Sequence, residues 1–360
     1  MAELEKQIST TKYNKKTQGA IGQMKAKLAL LKQKQETRAS SGVGKSSDGY
    51  AVRKTGDGTV VLLGFPSAGK STLLNTLTNA DSPVGAYAFT TLTVIPGLLE
   101  YKFAKMQVLD VPGIVSGAAS GSGRGKEVLQ VIRTADFVCI VIDVFQPEQY
   151  TKILYEIDQT GVRINKEKPE IKIRRTEKNG VRIGTTVPLT DVSEEEIVAA
   201  AKMFKIQNAE ILIRSQITID DFIDTLENNK VYLPAIKILN KVDAASPEDL
   251  ERARKIVKPD LEISAQKKIK IPELKDLIFD RMNFIRIFLK EWGQKADMDE
   301  PMIMQKGQTL GDLCNKLHKD FYEKFKYARI WGPSVKFDGQ KVLKKTHVLG
   351  DRDIIELKMS

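Results

Sequence analysis

The chain has 360 residues, 41% of them hydrophobic and 29% charged, enough for two or three folded units and ordinary for a soluble protein. No run of about 18 apolar residues occurs, which excludes a membrane-spanning helix, and the N-terminus MAELEKQISTTKYNKK lacks the apolar core of a secretory signal; a cytoplasmic location without a membrane partner is expected. The formal charge of +11 points to a polyanionic partner, usually nucleic acid, or to no more than a lysine-rich surface; no DNA partner is expected.

Two cysteines and two histidines leave no zinc-type cluster. Cys139, inside the apolar run FVCIVIDV, reads as a small buried hydrophobe. Cys314 falls in an expected helix.

Residues 1 to about 40 read as a basic helix with one apolar stripe: Ile21, Met24, Leu28, Leu30 and Leu31. The glycine- and serine-rich segment 40–58 reads as a linker. Its GVGKSS (42–47) has neither the preceding apolar strand nor the glycine spacing of a phosphate loop, and is set aside.

From Thr59 strands and helices alternate. TVVLLGF is a buried strand and TLLNTLTN a helix; LLEYKF and KMQVLDV are strands, EVLQVIRTAD a helix, and FVCIVIDVF a fully apolar strand. Later come the strand PAIKILNKVD, a helix at PEDLERARKIV, the short strand LEIS, and a long helix expected over 271–292. Such alternation predicts an α/β fold with a mostly parallel sheet covered on both faces.

Residues 164–232 interrupt the alternation. KPEIKIRRTEKNGVRIGTTVPL reads as a hairpin turned at Asn179-Gly180, followed by the helix SEEEIVAAAKMFK, then AEILIRSQ and ITIDDFIDTLENN. It is read as an α+β insert. The tail mixes the short strands MIMQK, ARIWG and DIIELKM with one helix over TLGDLCNKLHKDFYEKF. The expected division is a helical region with linker (1–57), a nucleotide domain (58–163 and 233–293), the insert (164–232) and a C-terminal α+β module (294–360).

Gly64-Phe65-Pro66-Ser67-Ala68-Gly69-Lys70-Ser71, followed by Thr72, fits G-x-x-x-x-G-K-[ST] between a strand and a helix, the context that motif needs. Glycines let backbone amides approach phosphates, and the helix start contributes its positive end. Lys70 is expected at the β- and γ-phosphates and Ser71 on Mg2+. Asp110-Val111-Pro112-Gly113 closes a strand some forty residues later: Asp110 is expected to hold Mg2+ and the Gly113 amide to sense the γ-phosphate. Asn240-Lys241-Val242-Asp243 follows another strand. Asp243 can accept two hydrogen bonds from guanine, which adenine cannot supply, so GTP and GDP are the expected ligands and ATP is disfavoured. Asn240 is expected to support the loop and reach the purine N7, and Lys241 to pack along the base. Ser264-Ala265 closes the set, with the Ala265 amide expected to donate to guanine O6. In Ala88-Phe89-Thr90-Thr91-Leu92 a threonine is expected to complete Mg2+ coordination; Thr91 is favoured, though spacing does not separate it from Thr90. Lys70, Thr91 and Gly113 are the groups expected closest to the chemistry.

GFPSAGKSTLLNTLT, AYAFTTL, DVPGIVSGAASGSGRGKEVL and NKVD together resemble the Obg superfamily. The segments TKYNKKTQGAIGQMKAKLALLK and YARIWGPSVKFDGQKVLKKTHVLGDRDIIEL resemble its developmentally regulated GTP-binding (DRG) family, over essentially the whole chain. The resemblance implies a P-loop GTPase domain carrying a ribosomal-protein-like insert, an N-terminal helical region and a C-terminal TGS domain of β-grasp type. It also implies ribosome association, a role in translation and a dedicated protein partner. Ile114 stands where many small GTPases carry a water-orienting glutamine, so slow intrinsic hydrolysis is expected, aided by potassium or by a partner's group. Relatives that use potassium carry asparagine where Ser67 stands. Arg124 is weighed as an internal charge stabiliser against a plain exposed arginine. The alternative to a slow GTPase is a GTP-gated ribosome- or RNA-binding module. Trp331 and Tyr327 of the tail either stack on RNA bases or complete a small core.

Overall fold

A computed structural model describes residues 2–11, 17–40, 56–78, 95–111, 131–291 and 293–359. They form two compact units, residues 1–49 with 161–232 and residues 50–160 with 233–360. Among the described residues no helix is long and apolar enough to cross a membrane.

The larger unit holds a six-stranded sheet in the order Leu261–Glu262, Ala235–Asn240, Phe137–Asp143, Gly58–Leu63, Ala104–Asp110, Ile95–Tyr101. Every pairing is parallel except the last, an antiparallel hairpin. The α/β expectation therefore holds. All residues of Gly58–Leu63 and Phe137–Asp143 are buried, as a doubly covered sheet requires. On one face Val60, Leu62, Val108 and Val141 pack against Leu73 and Leu77 of the helix Lys70–Leu77 and Leu274 and Ile278 of the helix Ile271–Arg281. Cys139 is buried in the same core, and burial pushes its thiol pKa up.

The helix expected over 271–292 is shorter. It ends at Arg281, and after a left-handed Asn283 (φ 53°) the chain becomes the strand Phe284–Leu289. FIRIFL has apolar residues on both faces. Phe284 joins the core just described, while Ile285 and Ile287 enter a second one. Such a run does not reveal its period. These residues, assigned by sequence to the nucleotide domain, belong to a second sheet.

That sheet runs in the order Met302–Gln305, Phe284–Leu289, Asp353–Met359, Phe325–Trp331, Gln340–Val342. One face is covered by Leu310 and Leu313 of the helix Leu310–Leu317. The single helix expected over TLGDLCNKLHKDFYEKF is two, Leu310–Leu317 and Lys319–Glu323. They are parted by His318, whose backbone is extended (φ −171°, ψ 151°) and whose Nδ1 caps the second helix by accepting from the Asp320 amide.

In the smaller unit the helix Gln18–Ser40 buries Ile21, Gly22 and Ala26. The expected leucines Leu28, Leu30 and Leu31 and Met24 are only half-buried. A Cβ on Gly22 would stand 3.4 Å from Ile219, so small residues set the approach of this helix to the insert. Lys25 pairs with Asp220 at 2.7 Å. Helices Glu194–Met203 and Ile219–Glu227 each open on a capping box, Ser193/Glu196 and Thr218/Asp221.

The hairpin expected around Asn179-Gly180 does not form. Both residues have positive φ, but Ile171–Arg175 and Val181–Thr185 do not pair with each other: Ala209–Ile213 lies between them, antiparallel to the first and parallel to the second. Burial explains the insertion: Ala209, Ile211 and Ile213 are buried in the core of this unit, while Ile171, Ile173, Val181 and Ile183 are only half-buried, so the most apolar strand takes the centre.

Candidate nucleotide site

The strand Gly58–Leu63 delivers the chain to Gly64, where any side chain is excluded: a Cβ would stand 2.4 Å from the Val141 carbonyl oxygen. Gly69 is left-handed (φ 90°), and a Cβ there would come within 2.3 Å of Asn240 Nδ2. Both glycines are thus demanded by neighbouring strands as well as by the turn. Ser67, at φ 65°, takes the same strained region with a side chain. The helix then starts at Lys70 with no side-chain cap, so its first-turn amides face outward.

Lys70 is 8% exposed. Its Nζ donates to the carbonyls of Gly64 and Phe65, both at 2.9 Å, which commits two of its three protons to the loop. Burial holds its pKa below the ordinary lysine value, opposed by the Asp110 carboxylate.

Asp110, 3% exposed, is in register with Leu62 at the same end of the sheet. Its Oδ2 accepts from Ser71 Oγ at 2.5 Å, while its buried Oδ1 has no hydrogen-bond partner among the described residues. An unpaired buried carboxylate oxygen is costly. A hard divalent cation resolves that cost, and oxygen donors alone suit Mg2+, which is bound through one or two carboxylates and the phosphates of a ligand.

At the base end, Asn240 is 2% exposed and spans two loops: its Nδ2 donates to the Ala68 carbonyl at 2.9 Å, and its Oδ1 accepts from the Ala265 amide at 3.0 Å. The Ala265 amide, expected to face guanine O6, thus serves Asn240 here. Ser264 is fully buried and its Oγ accepts from the Lys267 amide. Asp243 is exposed, with no hydrogen bond among the described residues. Phosphate loop, Asp110, Asn240 and Ser264-Ala265 are brought to one end of the sheet. Thr90, Thr91, Gly113, Ile114, Arg124 and GVGKSS (42–47) lie outside the described residues.

Two residues escaped the sequence reading. Asp143 accepts from Lys241 Nζ at 2.7 Å and from the Phe145 amide at 3.0 Å, and stands in register with Asn240. Lys241 itself is left-handed (φ 67°). The signal was there: Asp143 is the only charge in Phe137–Asp143 and sits at the strand end where α/β sheets bind ligands. Thr76, whose Oγ1 lies 3.2 Å from the Ala265 carbonyl and 2.8 Å from that of Thr72, gave no such signal.

Residues 59–175 match the family described as 50S ribosome-binding GTPase, residues 178–284 the C-terminal region of that domain, and residues 285–359 the TGS domain. An uncharacterized GTP-binding protein of Methanocaldococcus jannaschii is 45% identical, over 98% of this chain and 90% of its own length. Developmentally-regulated GTP-binding protein 1 of Xenopus laevis is 41% identical over 99% and 97%. Ribosome-interacting GTPase 1 of Saccharomyces cerevisiae is 41% identical over 98% and 96%. At such identity over nearly the full length, the chain belongs to the developmentally regulated GTP-binding protein family, and is a P-loop GTPase.

Proposed function

We propose that this GTPase turns over slowly by itself, uses Mg2+, and acts in translation through association with the ribosome. The observation that carries the metal-dependent site is the pair Ser71–Asp110 with its unpaired Asp110 Oδ1. Ser71 and Asp110 would hold Mg2+, with Thr91 or Thr90 completing the set when the γ-phosphate is present. The ion would supply neutralisation of phosphate charge. Lys70 places its remaining proton toward those phosphates, and the Gly113 amide reads the γ-phosphate. Asp243 takes the guanine edge. Asn240, already spent on two loops, supports the base mainly through them, and guanine O6 would share the Ala265 amide with Asn240.

Ribosome association rests on a relative named for it, on the matched family's description and on the charge of +11. A cytoplasmic location and a dedicated protein partner belong to the same reading. The proposed division keeps the helical region, insert and nucleotide domain, with the C-terminal module beginning at Phe284.

The test is steady-state GTP hydrolysis in potassium and in sodium, with and without ribosomes. Stimulation by either is expected and would identify what replaces the glutamine absent at Ile114. Tight GTP binding with no turnover in any condition would instead favour a GTP-gated binding module. Hydrogen exchange over residues 111–126 is expected to slow with a GTP analogue relative to GDP; equal exchange in both states would refute γ-phosphate sensing by this segment.

Asp143 is expected to position Lys241. Losing one charge-assisted hydrogen bond costs about 1.5 kcal/mol, so Asp143→Ala should speed GDP and GTP release about tenfold alike. Asp143→Asn should restore part of the difference. Unchanged release from Asp143→Ala would make the pair a surface ornament.

A further inference from the structure

The three-stranded sheet of the insert has two unlike faces. Ile171, Ile173, Val181, Ile183, Ile211 and Ile213 belong to the core of the smaller unit. Side chains alternate along a strand, so Lys172, Arg174, Arg182, Gly184, Glu210 and Leu212 stand on the other face. All six are exposed except Leu212, which is half-buried. Register sets them in two rows across the strands: Arg174, Glu210 and Arg182, then Lys172, Leu212 and Gly184.

On this face three cations meet one carboxylate. Neighbouring strands lie about 4.8 Å apart, so Arg174 and Arg182 stand about 10 Å from each other with Glu210 between. Glu210 neutralises little: its carboxylate is 3.9 Å from the Arg174 guanidinium, and the two side chains are 57% and 79% exposed. A net positive charge is left facing solvent.

Leu212 is the one large apolar side chain here, and Gly184 leaves a gap beside it. A Cβ on Gly184 would meet only Leu212 Cδ1, at 3.6 Å. A glycine inside a strand weakens it, and often marks a place where a ligand or another chain comes close. Leucine and gap together make a shallow seat, one side chain wide, flanked by Lys172, Arg174 and Arg182.

A nucleic acid would use the cations but not Leu212, and none of the six residues carries a ring on which a base could stack. A small apolar ligand needs a concave pocket, which this sheet face lacks. An acidic protein segment with one large apolar side chain uses every feature. An apolar anchor inside a polar rim is how protein interfaces are built, and carboxylates match the sign of this rim.

We propose that the open face of the sheet formed by Ile171–Arg175, Ala209–Ile213 and Val181–Thr185 docks an acidic segment of a partner protein. One large apolar side chain of that segment rests on Leu212 over Gly184, and its carboxylates meet Lys172, Arg174 and Arg182. The surface lies in the smaller unit, outside the nucleotide site, and its use does not depend on ribosome association.

The test selects short random peptides displayed on phage against the full chain, then measures the enriched peptides as labelled synthetic copies by fluorescence anisotropy. Enriched peptides should carry several Asp or Glu around a Leu, Ile or Phe. Arg174→Glu with Arg182→Glu should weaken their binding roughly tenfold or more, and added salt should weaken it too. Leu212→Ser should weaken it about tenfold and Leu212→Met should not. Gly184→Lys separates charge from shape, because it adds a cation but fills the seat. The enriched peptides should then bind more weakly and polyglutamate more tightly. Thermal melting of each variant confirms folding.

Equal peptide binding by the parent and the double charge reversal would overturn the proposal, as would a selection that yields no acidic peptide. So would acidic peptides indifferent to Leu212→Ser and displaced by an RNA duplex, which would assign the face to nucleic acid.

Discussion

Lys70→Ala is expected to remove measurable GTP and GDP binding while leaving the empty protein folded. Removing one partner of a buried charge pair costs about 3–5 kcal/mol, a fall in affinity of roughly 150- to 5,000-fold. The same burial that makes the contact strong is a cost in the absence of phosphate: desolvation already holds the Lys70 pKa below its ordinary value. Truncating the side chain lifts that penalty but unpairs the Gly64 and Phe65 carbonyls and removes a buried stem, opposing effects, so the empty variant should still unfold cooperatively on heating. The rise in melting temperature that GTP gives the parent should vanish. Lys70→Arg should fail as well, because a planar guanidinium does not fit a head group held at 2.9 Å by both Gly64 and Phe65 carbonyls. Tight binding by either variant, measured by titration calorimetry, would refute the site.

Asp243→Asn is expected to change which base is accepted. A carboxylate offers acceptors to both the guanine N1–H and the exocyclic amine, whereas an asparagine offers one acceptor and one donor. Guanine then faces a donor with its own donor. Charged hydrogen bonds contribute about 1.5–3 kcal/mol and an unpaired group adds about 1–3, so GTP affinity should fall roughly 100-fold or more. A base with an oxo group in place of the amine should bind better, so xanthosine triphosphate should gain over the parent in competition. Asp243 is exposed, so the fold should tolerate the change. An unaltered ranking of guanine, xanthine and adenine nucleotides would show that Asp243 does not read the base.

The nucleotide end of the sheet was legible because its motifs sit where strand geometry needs them. Gly64, Gly69, Lys70 and Ser71 follow one buried strand, Asp110 ends a second and Asn240 a third, so spacing alone placed the loops together. What was not legible depended on partners distant in sequence. Phe284–Leu289 is apolar on both faces, and helix or strand was settled by two cores that a local window does not contain. The hairpin was predicted from Asn179-Gly180, a sound turn signal, but the later and more apolar strand Ala209–Ile213 took the buried place between its two arms. Of the expected stripe only Ile21 is fully buried; Gly22 and Ala26 join it where Leu28, Leu30 and Leu31 were expected, because close approach of a helix favours small side chains. Asp143 and Thr76 touch the site only through Lys241 and Ala265, and a motif search has no template for such supports.

Asn240 has a mechanical consequence. One amide group fastens the Ala68 carbonyl, under the phosphates, to the Ala265 amide, beside the base. The two ends of the cleft therefore share one support, so a pull on either loop strains a bond, worth about 1 kcal/mol, that also holds the other.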